Sequence, residues 1–95
     1  MTIYIIRIQL MNATDSDYLR LRERMIQAGF SKRIESSSGQ MYILPYGTYL
    51  AETEKTKESI LEISKKVAST VKSKWQVLVV ESMPKGIVWA GLPTA

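Results

Sequence analysis

The sequence predicts an α+β domain in which two helices lie on one face of an antiparallel sheet. Three observations predict it. Apolar residues alternate with a period of two near the start of the chain, as a strand with one buried face requires, and cluster again near its end. Between these stretches, apolar residues recur twice at the three- and four-residue spacing of an amphipathic helix. The 95 residues are 45% apolar and include no cysteine, so one two-layer core must supply the stability that disulfides give many small folds.

The elements follow in order. In Thr2–Met11, Ile3, Ile5, Arg7 and Gln9 alternate with Tyr4, Ile6, Ile8 and Leu10, so one face is wholly apolar and the other turns polar at Arg7. β-branched and aromatic side chains suit a pleated, half-buried surface, and this is the first strand. Asn12–Asp17 is a polar turn rich in helix-capping residues, a helix follows over about residues 16–28, and Gly29 ends it. Ser31–Ser36 and Gln40–Leu50 read as two strands joined at Ser37-Ser38-Gly39. Pro45-Tyr46-Gly47 interrupts the second of these with a bulge, a bend or an early end, because proline has no N–H for the ladder. The second helix runs from Thr53 to about Ser73, with Ile60, Ile63, Val67 and Val71 inward and Lys55, Lys57, Glu58, Glu62, Lys65 and Lys66 outward. Trp75–Glu81 is a strand, Pro84-Lys85-Gly86 a turn, Ile87–Ala90 an optional short fifth strand and Gly91–Ala95 a loose tail. The resulting order, βαββαβ, is the split βαβ or ferredoxin-like sandwich. Residues 1–90 form its single domain, with 91–95 as a C-terminal tail.

Composition narrows the chemistry. Without cysteine or histidine there is no thiol nucleophile, no imidazole acid–base pair and no ordinary zinc site. The lack of disulfides points to the cytoplasm. The opening Met1-Thr2-Ile3-Tyr4-Ile5-Ile6-Arg7 has no basic leader and its apolar run is broken by Arg7, so neither a secretory leader nor a membrane span is expected. A net charge of +4 permits a polyanionic partner without demanding one.

One residue breaks the pattern. At about 100° per residue, Tyr18, Leu21, Met25 and Ala28 of the first helix gather on one side, with Leu19 and Ile26 extending it. Arg22 falls inside that apolar stripe, between Tyr18 and Ile26. An unpaired charge is not left in a core, because desolvation costs several kcal/mol. Arg22 therefore either packs its aliphatic stem and snorkels its head out past the sheet edge or pairs with Glu35 or Glu52, or it aims its guanidinium at a cleft beside the sheet where it meets phosphate. Arg20 and Arg24 are neighbours on the outer face and, with Lys32 and Arg33, form either a solvated basic surface or an RNA-binding one. Asp15 and Asp17 are placed to cap the helix; the same pair could hold Mg²⁺, but no metal or other cofactor is expected. Tyr46 and Tyr49 flank the Pro-Gly turn and either stack on bases or pack the turn, while Trp75 and Trp89 bury area at the sheet ends.

Tyr18-Leu19-Arg20-Leu21-Arg22, followed by Met25, Phe30 and Ser31, resembles the start of the GhoS family over about 14 residues. Those proteins are small antitoxin endoribonucleases of type V toxin–antitoxin systems, with the ferredoxin-like fold of the small CRISPR-associated nucleases. The resemblance implies an RNA-binding protein that cuts a toxin's messenger RNA. It places Arg20 and Arg22 on the family's two helix arginines and makes Arg22 the catalytic candidate. In such a reaction the ribose 2′-hydroxyl attacks the adjacent phosphate and arginine stabilises the charge that develops. The alternative is a non-catalytic module of the same fold that dimerises or recruits a protein through open sheet edges.

Overall fold

The computed structural model describes residues 1–83 and 86–95. Its elements are β1 (Thr2–Leu10), α1 (Asp15–Gln27), β2 (Arg33–Glu35), β3 (Met41–Ile43), β4 (Thr48–Thr53), α2 (Lys57–Ser69) and β5 (Trp75–Ser82). The apolar side of the first strand dictates the rest. β1 is the middle strand of an antiparallel sheet of order β4-β1-β5, and its Tyr4, Ile6, Ile8 and Leu10 are buried. They meet Tyr49 and Ala51 of β4, Leu21 and Met25 of α1, and Ile60 and Ala68 of α2 in one core. Val77 and Val79 of β5 pack at its margin. Among the described residues no helix is long and apolar enough to cross a membrane.

The two strands expected over Ser31–Ser36 and Gln40–Leu50 become three. The chain crosses back at Pro45-Tyr46-Gly47: β3 stays with β2 as a separate hairpin, and β4 returns to β1. Proline supplies no ladder donor, and Gly47 adopts φ 73°, which an L side chain resists. Gly47 is also pressed onto β1, where the Ile8 N–H donates to its carbonyl at 2.6 Å. The hairpin touches the main sheet through a bridge between Ser31 and Leu50, whose amides exchange hydrogen bonds of 2.8 Å each.

At the C-terminal end the expectation is corrected. Ile87–Ala90 forms no strand, and the final residues are not loose. Pro93 accepts from the Ile43 N–H at 2.9 Å, the Ala95 N–H donates to Met41 at 3.0 Å, and Thr94 bridges Tyr42. β3 would otherwise present an unpaired edge, and the tail closes it through the Pro93 carbonyl and the Ala95 N–H. Trp89 adds an edge-on contact with Tyr42, ring centres 5.5 Å apart. Of the expected Pro84-Lys85-Gly86 turn, Pro84 and Lys85 lie outside the described residues.

Both helices start where a hydroxyl can cap them. Thr56, not Thr53, caps α2 by accepting from the Ser59 N–H at 3.1 Å, because Thr53 is taken by β4 in register with Thr2. Thr14 caps α1 in a reciprocal box: its hydroxyl accepts from the Asp17 N–H at 3.3 Å, and the Asp17 carboxylate accepts from the Thr14 N–H at 3.0 Å. The same carboxylate pairs with Arg20 and with Lys72 of the segment after α2, at 3.3 Å in the second case. The Thr14 backbone donor first, then Arg20 and Lys72, hold Asp17 well below the ordinary carboxylate range. A depressed folded-state value gives stability that is present above about pH 4 and lost as pH falls below it. Asp17→Asn is expected to lower the melting temperature at pH 7 and to flatten its fall between about pH 4 and pH 2, as thermal melts across pH would record.

Candidate nucleic-acid interface

Arg22 leaves the solvent-facing side of α1 beside a small cavity of about 70 Å³. The cavity is lined by Tyr18, Leu19 and Arg22 of α1, by Lys32 and Ile43 of the hairpin, and by Tyr46, Gly47 and Tyr49 of the turn into β4. No carboxylate is among the lining residues. Among the described residues Arg22 joins no ion pair. Glu35 and Glu52, its expected partners, line a different groove.

Lys32 is the buried cation of this site, only 6% exposed. The chain brings it there because Phe30 is anchored in the core and Ser31 is bridged to β4, so the next side chain turns under the Pro45–Thr48 turn. Its Nζ donates to the carbonyl of Pro45 and, at 3.1 Å, to that of Thr48, and lies 4.7 Å from the centre of the Tyr49 ring. Burial, reinforced by the nearby charges of Arg22 and Arg7, pushes the amine down to about 8. Burial pushes the Tyr49 phenol the other way, up to about 12, so it stays protonated.

The turn also carries an aromatic platform. Tyr18 and Tyr46 stack with ring centres 5.7 Å apart and planes 7° from parallel. Tyr18 is fixed from behind, since its hydroxyl accepts from the Leu10 N–H at 3.0 Å. Tyr46, the outer ring, is 60% exposed. A rigid, exposed ring backed by another and set beside two cations can take the face of a planar base while the cations take the adjoining phosphate.

The structure brings together only part of the expected basic set. Lys32 joins Arg22. Arg20 turns to Asp17, and Arg24 donates to the Thr70 carbonyl at 2.7 Å, capping the end of α2. Arg33 lines the separate groove that also holds Glu35 and Glu52. Arg7, expected only as the polar end of a strand face, proves to act electrically on Lys32. Its signal in the sequence was the charge itself; what was missing was the register that sets it opposite Thr48. Asp15 and Asp17 serve the helix start, and among the described residues no group of three metal-ligating side chains assembles. No protein-family model matches the chain, and no curated protein matches its sequence.

Proposed function

We propose that this chain binds single-stranded RNA at the α1–turn cavity, with phosphate held by Arg22 and Lys32 and a base stacked on Tyr46. The observation that carries this reading is a pair of cations, one buried, kept side by side without a carboxylate among the residues around them. Like charges so placed repel, and an anion that enters relieves the repulsion. The fold reading that accompanies it is ferredoxin-like: β5-β1-β4 supplies three adjacent strands, and the Ser31–Leu50 bridge is the remnant of a fourth, most of which has peeled away to pair with β3. The resemblance of Tyr18–Arg22 to the GhoS family selects RNA over DNA and extends the proposal to cleavage of a toxin's messenger RNA. In that reaction the 2′-hydroxyl attacks the adjacent phosphorus and its proton passes to solvent, the P–O5′ bond breaks to leave a 2′,3′-cyclic phosphate, the departing 5′-oxygen takes a proton from solvent, and Arg22 neutralises the charge added to the phosphoryl oxygens.

The test is fluorescence anisotropy with a single-stranded RNA of about ten nucleotides, a site size typical of small binding folds. The logarithm of the affinity is expected to fall linearly with the logarithm of salt, and Arg22→Ala to reduce that slope by about 0.7. Phosphate favours the charged amine, so affinity is also expected to decline as pH rises through about 8. A flat salt dependence with wild type and variant alike would remove the proposal. Incubation of the same RNA with both proteins reads cleavage separately. Binding with no product in either would leave the binding reading and discard the nuclease.

A further inference from the structure

The helices cover one face of the sheet, and the other carries an apolar row in which Ile5 and Leu50 are half-buried and the β5 side chains Leu78 and Val80 are exposed. Ile5 lies between Leu50 and Val80 in register, and Arg7 between Thr48 and Leu78. Leu78 is 60% and Val80 46% exposed. Antiparallel sheets commonly expose one face, but that face is then polar; large aliphatic side chains across adjacent strands mark a covered surface.

We infer that this face is the interface between two copies of the chain, related by a two-fold axis that lies between the sheets, at right angles to the strands and level with Ile5. The charge pattern selects the occupant and the axis. Two residues from Ile5 in one direction stands Arg7, and two residues in the other stands Ile3, with Glu52 beside it on β4. A two-fold axis along the strands would set Arg7 against its own copy. The crosswise axis sets each Arg7 over the partner's Ile3, within side-chain reach of the partner's Glu52, and stacks the Ile5, Leu50 and Val80 row on itself. It also brings exposed Leu78 over the partner's Ser82, next to the exposed Met83. Glu52, Ile3 and Leu50 line a groove of about 500 Å³ that Met83, Ile87 and Trp89 and the hairpin residues Arg33 and Glu35 also line, so its two carboxylates outnumber its one resident cation. That groove has room for an arginine side chain.

Three strands about 4.8 Å apart and some seven residues long give a footprint of about 300 Å². This is smaller than the roughly 800 Å² per partner of a tight complex, so the dimer is weak and depends on concentration. The inference does not rest on the RNA reading, whose site is the α1–turn cavity; Arg7 alone bears on both, through the effect of its charge on Lys32.

Sedimentation equilibrium on the chain, from about 1 μM to about 1 mM, is expected to show a monomer passing to a dimer toward the upper end of that range, as a contact well below the standard interface size requires. Val80→Asp, at an exposed position that leaves the core intact, is expected to keep the protein monomeric throughout while its circular dichroism is unchanged. Arg7→Glu is expected to weaken association about tenfold or more, since it sets like charges together twice across the axis. Arg7→Glu combined with Glu52→Arg is expected to restore association to within about threefold of wild type, because the two ends of the pair simply exchange. A wild type that is monomeric at the highest concentration would overturn the inference. So would a dimer that survives Val80→Asp, which places the contact elsewhere, for instance along the β5 edge. A double variant no better than Arg7→Glu would overturn the assigned axis and with it the proposal.

Discussion

Gly47→Ala is expected to lower stability by about 3 kcal/mol or more, a large part of the roughly 5–14 kcal/mol available to a chain of this size. Two costs add at this position. The backbone sits at φ 73°, where an L side chain is strained by about 1–2 kcal/mol. A Cβ would in addition overlap the carbonyl of Ile8, backbone of the central strand that cannot move aside cheaply. Gly29→Ala isolates the first cost. Gly29 has φ 100° but nothing within 4 Å of the added carbon, so about 1 kcal/mol is expected there. Thermal melts measure both, at about 4–8 °C per kcal/mol for a domain of this length. Equal losses in the two variants would mean that the turn is not pressed against β1 as described. Because Gly47 also lines the Arg22 cavity, Gly47→Ala is expected to weaken RNA binding through displacement of Tyr46.

Arg22→Glu is expected to move binding and stability in opposite directions. It removes the charge-assisted phosphate contact proposed for Arg22 and puts a repelling carboxylate in its place, for an expected loss of affinity of about 100-fold. The same carboxylate lies beside Lys32, whose amine is held down in part by Arg22 itself. Pairing is therefore expected to raise stability by about 0.5–1 kcal/mol, the range of a solvent-accessible ion pair. Denaturant midpoints and anisotropy on one preparation give both numbers. Loss of stability together with binding would identify Arg22 as a scaffold residue whose charge serves the fold.

β1 and both helices follow from periodicity, because a strand or helix with one buried face repeats its apolar residues with its own pitch. Asp17 was legible as a cap, and Pro45 as an interruption, since both effects act within a turn of chain. Arg22 read as an anomaly because Leu19 and Ile26 widen the apolar stripe in sequence; in the structure both are about half exposed and Arg22 lies on the solvent-facing side beside them. The burial of Lys32 was not. Its acceptors are backbone carbonyls 13 and 16 residues away, and backbone groups carry no sequence signature. Arg20 and Arg24 read as one basic surface because they are spaced as neighbours, but Asp17 one turn earlier and the end of α2, 46 residues later, take them separately. The pairing of Pro93–Ala95 with β3 was hidden for a similar reason: a tail with few β-formers is ordered by an edge that happens to need it. The outward aliphatic residues Leu78 and Val80 were visible as a continuous apolar run, yet a run buried on both faces and one exposed on the outer face look the same in one dimension.

Whether Arg22, Lys32 and the Tyr46 turn form one ligand site is decided by a titration of isotopically labelled protein with single-stranded RNA, followed by the backbone amide and arginine side-chain resonances. The account expects the shifts to concentrate at the Arg22 side chain, at Lys32 and over Tyr46–Tyr49, saturating together with one affinity. Saturable shifts confined to Arg20, Arg24 or the outer sheet face, with the Arg22 and Gly47 resonances unmoved, would contradict it.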